Sequence, residues 1–208
     1  MSVFAFAVLC ASSLLTIIDP IAAAPLFVAI TAGQDEQSRR RTAIRACLVA
    51  GGLLTVFAVA GGAIFGLFGI TIHAFRIAGG ILFFTMAMPM LTGRTNHSSA
   101  DVQSGDDPAI VPLGMPIIAG PGAISTVMVL MGQAEGITQV IALHLAIVAT
   151  VGLTAVALWL APVLLRRLGR SGIMLVTRVL GLIMCVIGIQ FVIDGAKPVV
   201  IDVIRAAR

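Results

Sequence analysis

The chain has 208 residues, of which 59% are hydrophobic and 11% charged, with a formal net charge of +4 and a mean hydropathy of +1.12. Soluble domains carry about 25% charged residues. A water-soluble fold is therefore excluded, and so is a soluble domain on one anchor, because the apolar runs extend over the whole length. A pI near 9.8 does not point to nucleic acid. The basic residues lie in short clusters between apolar segments, where topology signals sit, and a chain with no Tyr and one Trp offers little for base stacking.

Runs of about 20 apolar residues are membrane-span candidates, and the chain divides into six, at 3–32, 43–67, 70–92, 110–132, 138–165 and 173–194. The first has no basic stretch before it, so it is expected to remain as a membrane helix rather than act as a cleaved signal. It is too long for a simple span and contains Asp19-Pro20-Ile21-Ala22-Ala23-Ala24-Pro25. A proline inside a helix loses one backbone hydrogen bond and crowds the preceding turn. Two prolines five residues apart thus predict a broken helix, which membrane depth tolerates only where the freed groups are buried in protein or line a cavity. Phe68-Gly69-Ile70 predicts a tight hairpin between the second and third spans. The polar stretch 96–109 reads as a linker between two three-span halves, 1–95 and 110–208, of one membrane domain. The fourth span contains a second proline pair five apart, Met115-Pro116-Ile117-Ile118-Ala119-Gly120-Pro121. The last span is expected to close at Asp194 and Lys197, at an interface.

Charge sets an orientation. Arg39, Arg40, Arg41 and Arg45 flank the first connection, Arg94 lies in the third, and Arg166, Arg167 and Arg170 lie in the fifth. The second and fourth contain no Lys or Arg. The positive-inside rule puts the odd connections in the cytoplasm and both termini outside, with Lys197, Arg205 and Arg208 opposing weakly. The bland reading of these arginines, topology and lipid head-group contact, outweighs any catalytic one.

The two halves echo each other. At an offset of 96, Pro20 matches Pro116, Ala23 matches Ala119 and Pro25 matches Pro121; at 102, Arg76-Ile77-Ala78-Gly79 parallels Arg178-Val179-Leu180-Gly181. Three spans per half force the second half to be inverted. The expected fold is an all-α polytopic membrane protein, a 3+3 inverted repeat with proline-broken first and fourth helices, a known transporter architecture.

Asp19 is the sharpest candidate for chemistry, since a carboxylate inside an apolar span marks an ion or substrate path by default. The competing reading is an N-cap for a half-helix starting at Pro20. Gly120, Gly122, Ser125 and Thr126 around Pro121 suit a cavity lining, against the alternative of small-residue helix packing. Arg76 and Arg178 snorkel to the interface in the bland reading. In the sharper one they gate, or act as counter-ions to Asp19 and Asp194. Cys10, Cys47 and Cys185 lie in apolar segments without a CxxC, and His73, His97 and His144 lack ligand spacing. No metal, cofactor or enzymatic activity is expected, because the usual nucleophile and metal motifs are missing.

The phrases Ile18-Asp19-Pro20-Ile21-Ala22-Ala23-Ala24-Pro25-Leu26-Phe27, Arg76-Ile77-Ala78-Gly79-Gly80-Ile81-Leu82-Phe83 and Pro116-Ile117-Ile118-Ala119-Gly120-Pro121-Gly122-Ala123-Ile124-Ser125-Thr126 resemble the MarC family. The family consists of six-span inner-membrane proteins of bacteria and archaea, and the resemblance covers nearly the whole chain. The family commonly has Asn or Asp at the position of Asp19, and often a glycine where this chain has Ala22. The resemblance implies a neutral amino acid transporter and leaves the direction open. The combined expectation is a cytoplasmic-membrane secondary transporter for small neutral amino acids. Asp19, Pro20, Ala23, Pro25, Pro116, Gly120, Pro121, Gly122, Ser125 and Thr126 would form its site. A proton or Na+ is the expected coupling ion, and an oligomer is compatible with this reading. The competing class is a membrane scaffold without transport activity.

Overall fold

The structure is a computed structural model that describes residues 1–31, 33–92, 117–166 and 169–206. The described residues form seven helices: α1 (Val3–Ile18), α2 (Pro20–Ile30), α3 (Glu36–Phe68), α4 (Ile72–Thr92), α5 (Pro121–Gln133), α6 (Ile137–Arg166) and α7 (Gly169–Ala206). Large apolar side chains are exposed along the long helices, from Phe4 and Leu48 to Leu145 and Val186. Water would oppose that surface and lipid would not. Five stretches are long and apolar enough to cross a membrane: Val3–Val28, Glu36–Phe68, Ile72–Thr92, Ile137–Val163 and Met174–Arg205. The chain is an all-α multi-pass membrane protein.

Helix ends follow local chemistry. Asp35 caps α3, its carboxylate accepting from Gln37 and Ser38 amides at 3.1 and 3.3 Å. The Ser38 side chain, then its amide, holds that carboxyl below the usual range. The expected hairpin forms: Gly69 ends α3 at φ 62, and Ile70 N–H reaches back to the Phe65 carbonyl at 2.8 Å. Thr71 then caps α4 through Ala74 N–H at 3.1 Å.

Of the expected fourth span 110–132, the described part holds α5, 13 residues or about 20 Å long at 1.5 Å per residue. Pro116 and the linker 96–109 lie outside the described residues. The last helix does not stop at Asp194 but runs to Ala206 with Pro198 inside it. Val199-Val200-Ile201 and Val203-Ile204 continue the apolar pattern, and one lost backbone bond does not end a long helix.

α6 sits centrally, against α1, α2 and α3. Phe6, Cys10, Leu14 and Ile18 recur every four residues on the buried face of α1, and Ala46, Ala50, Leu54 and Ala58 do the same on α3. Buried Thr150 and Thr154 do not strand polar groups there; Thr154 donates to the Thr150 carbonyl at 2.8 Å. Packing follows a reciprocal pattern. α2 rests on α6 and α7, α5 rests on α3, α1 and α4, and α3 meets α6. α4 and α7 form the most extensive pair.

Glycines set the α4–α7 distance. Gly80 lies directly against the Gly188 carbonyl, and a Cβ on Gly188 would stand 2.7 Å from the Gly80 carbonyl oxygen. Gly195 approaches His73 and Gly181 approaches Met90, so the two helices run antiparallel. Between membrane helices the driving force is close packing, which small residues permit.

The N-terminus lies at the end of the bundle that holds the fourth connection. Its ammonium is 3.4 Å from Glu135, and buried Gln139 donates to the Met1 carbonyl at 2.9 Å. The start of α3 lies beside the later part of α6, with the Arg40 guanidinium 6.0 Å from the Trp159 ring centroid.

Candidate functional site: two helix breaks at one cavity

Both breaks occur at a residue preceding a proline, where the α conformation is disfavoured. At the first, Asp19 takes a left-handed conformation with φ 43, the one non-glycine positive φ among the described residues. Its N–H closes α1 on the Leu15 carbonyl at 3.1 Å, and its carbonyl accepts from Ala23 at 3.0 Å. Its carboxylate accepts from Ala22 N–H at 3.1 Å, which caps α2. Aspartate is among the few L residues that tolerate this geometry. Pro20 is buried in the first turn of α2, where its missing N–H would have had no partner.

Pro25 does not form a second break. It lies inside α2, as Pro89, Pro162 and Pro198 lie inside α4, α6 and α7. The half-helices therefore start at Pro20 and Pro121, 101 residues apart, rather than at prolines matched by the 96-residue offset. That spacing lies within one residue of the 102-residue offset of the Arg-x-x-Gly phrases.

At the second break Gly120 is extended, with φ −73 and ψ 171, and no side chain caps α5. Pro121 has no N–H, so Gly122 and Ala123 carry the open donors of the first turn. All of 120–125 is buried.

Arg76 and Gly79, one turn apart on α4, both meet α5. The Arg76 Nε donates to Ser125 Oγ at 3.5 Å, and Gly79 lies directly against the Pro121 ring. Ser125 Oγ in turn donates to the Pro121 carbonyl at 2.6 Å. Arg76 is thus turned toward α5, while His73 and Ile77 face α7. Arg178 is exposed on α7. Asp194 accepts from Gln190 at 2.8 Å. Among the described residues neither arginine forms an ion pair with Asp19 or Asp194, and no cluster of three His, Cys, Asp or Glu side chains converges.

The two breaks face one cavity of about 70 Å³. Ile17, Ile18, Asp19, Ala22 and Ala23 line it from the first break, and Gly120, Gly122 and Ala123 from the second. Pro20, Pro25, Pro121, Ser125 and Thr126 do not line it. Phe83, Met184 and Phe191 complete the wall. The Phe83 and Phe191 rings meet edge to face at 5.8 Å. The repeat did not signal these aromatics, because at 102 residues Phe83 corresponds to Cys185 and Phe191 to Pro89. Gly122 keeps the space open: a Cβ there would stand 2.5 Å from the Phe191 ring and 3.1 Å from Ile17. Among the described residues, Asp19 is the one charged residue in the lining. Drug-sized pockets hold about 300 Å³ or more, so this geometry suits a ligand of few atoms.

Residues 4–200 match the MarC family of integral membrane proteins. A UPF0056 membrane protein of Aquifex aeolicus is 35% identical over 191 residues, covering 89% of each chain. One from Methanocaldococcus jannaschii is 34% identical over 195 residues, covering 91% of this chain and 95% of its own. The UPF0056 membrane protein YhcE of Escherichia coli is 34% identical over 196 residues, covering 89% of each. No solved structure matches. The matched stretch takes in the membrane-spanning helices and both breaks, and the chain belongs to the MarC family of integral membrane proteins.

Proposed function

We propose that this protein is a cytoplasmic-membrane secondary transporter for small neutral amino acids. The observation that carries the reading is the convergence of two broken helices on one small cavity with a single carboxylate in its wall. Irregular backbone at membrane depth marks transporter sites. The two breaks are chemically unequal. Asp19 already caps α2, whereas the Gly122 and Ala123 N–H groups at the α5 start meet no side-chain cap. The α5 terminus, with its partial positive charge, suits the substrate carboxylate. The Asp19 carboxylate suits the substrate ammonium or a coupling proton. Among the described residues its second oxygen takes no hydrogen bond and is available for that role.

The mechanism in this reading is alternating access. Two three-span halves, inverted relative to each other, rock about the cavity. The reciprocal packing of α2 on α6 and α7 and of α5 on α3 and α4 supports this arrangement, as does the antiparallel α4–α7 pair.

The test is counterflow and gradient-driven uptake of labelled glycine, alanine and leucine in vesicles of purified protein, with a proton or a Na+ gradient. Glycine and alanine are expected to move and leucine to be excluded. The gradient that drives accumulation identifies the coupling ion. Absence of movement for all three would favour the scaffold reading.

A further inference from the structure

A second cavity, of about 150 Å³, lies away from the helix breaks, where α2, the start of α3 and the end of α6 meet. Its wall combines Phe27, Glu36, Arg39, Arg40, Trp159 and Val163. Arg39 spans it unevenly. Its Nη2 donates to the Gln34 carbonyl at 3.1 Å, while its Nε–H is buried without a partner. A buried charged donor left unpaired is costly, so this one calls for an acceptor oxygen. The Arg40 guanidinium lies over the Trp159 ring, within cation–π range. Two arginines against Glu36 leave the lining cationic. Asp35 adds no free carboxylate, because its oxygen is held by the α3 amides.

The opposite edge of the cavity is apolar and faces outward. Leu160 and Val163 are 48% and 64% exposed, on a helix whose neighbouring surface is the lipid-facing one. The site therefore presents guanidinium groups at one end, an interfacial indole beside them and an aliphatic track leading away. A free anion would use only the first of these features. A phospholipid uses all three: its phosphate matches the planar arginine fork, the indole marks headgroup depth, and an acyl chain can follow Leu160 and Val163.

We propose that this cleft binds the headgroup phosphate of an anionic phospholipid, with Arg39 and Arg40 as its ligands and Trp159 as its platform. Occupancy would fix the start of α3 to the end of α6. The inference does not depend on the transport reading.

Trp159 is the single tryptophan of the chain, so its fluorescence reports on this cleft alone. The experiment titrates the purified full-length protein in neutral detergent micelles with brominated phosphatidylglycerol or brominated phosphatidylcholine and compares quenching. The anionic lipid is expected to quench at lower mole fraction, with each arginine contributing about fivefold to the preference. Arg39→Gln and Arg40→Gln should each lower that preference by this factor, compared at matched folding by circular dichroism. Inorganic phosphate in the same titration should not displace the lipid. Equal quenching by the two lipids would overturn the proposal, as would a preference that survives both substitutions. Displacement by inorganic phosphate would instead make the cleft a soluble-anion site.

Discussion

Asp19 serves the fold and is available to serve the substrate, and the two roles separate by substitution. Its carboxylate caps α2, its backbone takes a left-handed turn, and it forms the polar point of an otherwise apolar cavity. Losing an aspartate N-cap costs about 1 kcal/mol, in a range of roughly 0.5–2, whereas asparagine caps as well as aspartate. Asp19→Ala is therefore expected to lower the stability of the purified protein by about that amount in denaturant titrations, and Asp19→Asn to leave it nearly unchanged. Transport separates the variants differently. In the proposed mechanism both lose gradient-driven accumulation if the carboxylate carries the coupling proton, while Asp19→Asn retains exchange. Wild-type transport by Asp19→Ala would confine the residue to its structural role.

The fold depends on where helices break and on how closely they approach, and the two features differ in how well sequence reveals them. The hairpin at Gly69 was legible because glycine is the residue that ends a helix in a left-handed turn. The first break was legible from its prolines, but its extent was not. Pro20 and Pro25 carry the same chemical handicap, yet only the peptide before Pro20 leaves the helix, because α2 can start there with no additional backbone bond lost. Sequence likewise marked Asp194 and Lys197 as an end, since charges that follow an apolar run read as an interface. The apolar run beyond it carries α7 on to Ala206. The aromatic walls of the cavity, Phe83 and Phe191, were not legible. Their proximity comes from the Gly80–Gly188 approach between distant segments, which no local pattern encodes. That approach gives a contrast between two glycines in helix interiors. Gly52 has open space around it, so Gly52→Ala should stabilise the protein by roughly 0.5–1 kcal/mol through reduced backbone entropy in the unfolded chain. Gly80 lies directly against backbone that cannot turn aside, so Gly80→Ala should destabilise it by roughly 1–3 kcal/mol. Unfolding in mixed micelles, followed by far-UV circular dichroism, measures both. A neutral result at Gly80 would mean that the α4–α7 pair is looser than this packing.

Across the whole molecule, two independent features assign ends to the bundle. The N-terminus is held to Glu135 and Gln139 beside the fourth connection, while Arg40 in the first turns of α3 lies over Trp159 in the later part of α6. With arginines concentrated at the second end, reporter fusions after Asn96 and after Arg170 should read cytoplasmic, and a fusion after Arg208 external. A cytoplasmic C-terminus would contradict the inverted arrangement of halves in the proposed mechanism. The central claim is that a small amino acid occupies the cavity where the two breaks meet, and Gly122 is the residue that keeps that cavity open. The most direct measurement is labelled-alanine counterflow in vesicles, compared between wild type and Gly122→Val at matched reconstitution and melting temperature. Counterflow by the wild type and its loss in Gly122→Val, whose side chain would fill the space beside Phe191 and Ile17, is the predicted result. A wild type that moves no alanine, or a Gly122→Val protein that moves it at the wild-type rate, would contradict the account.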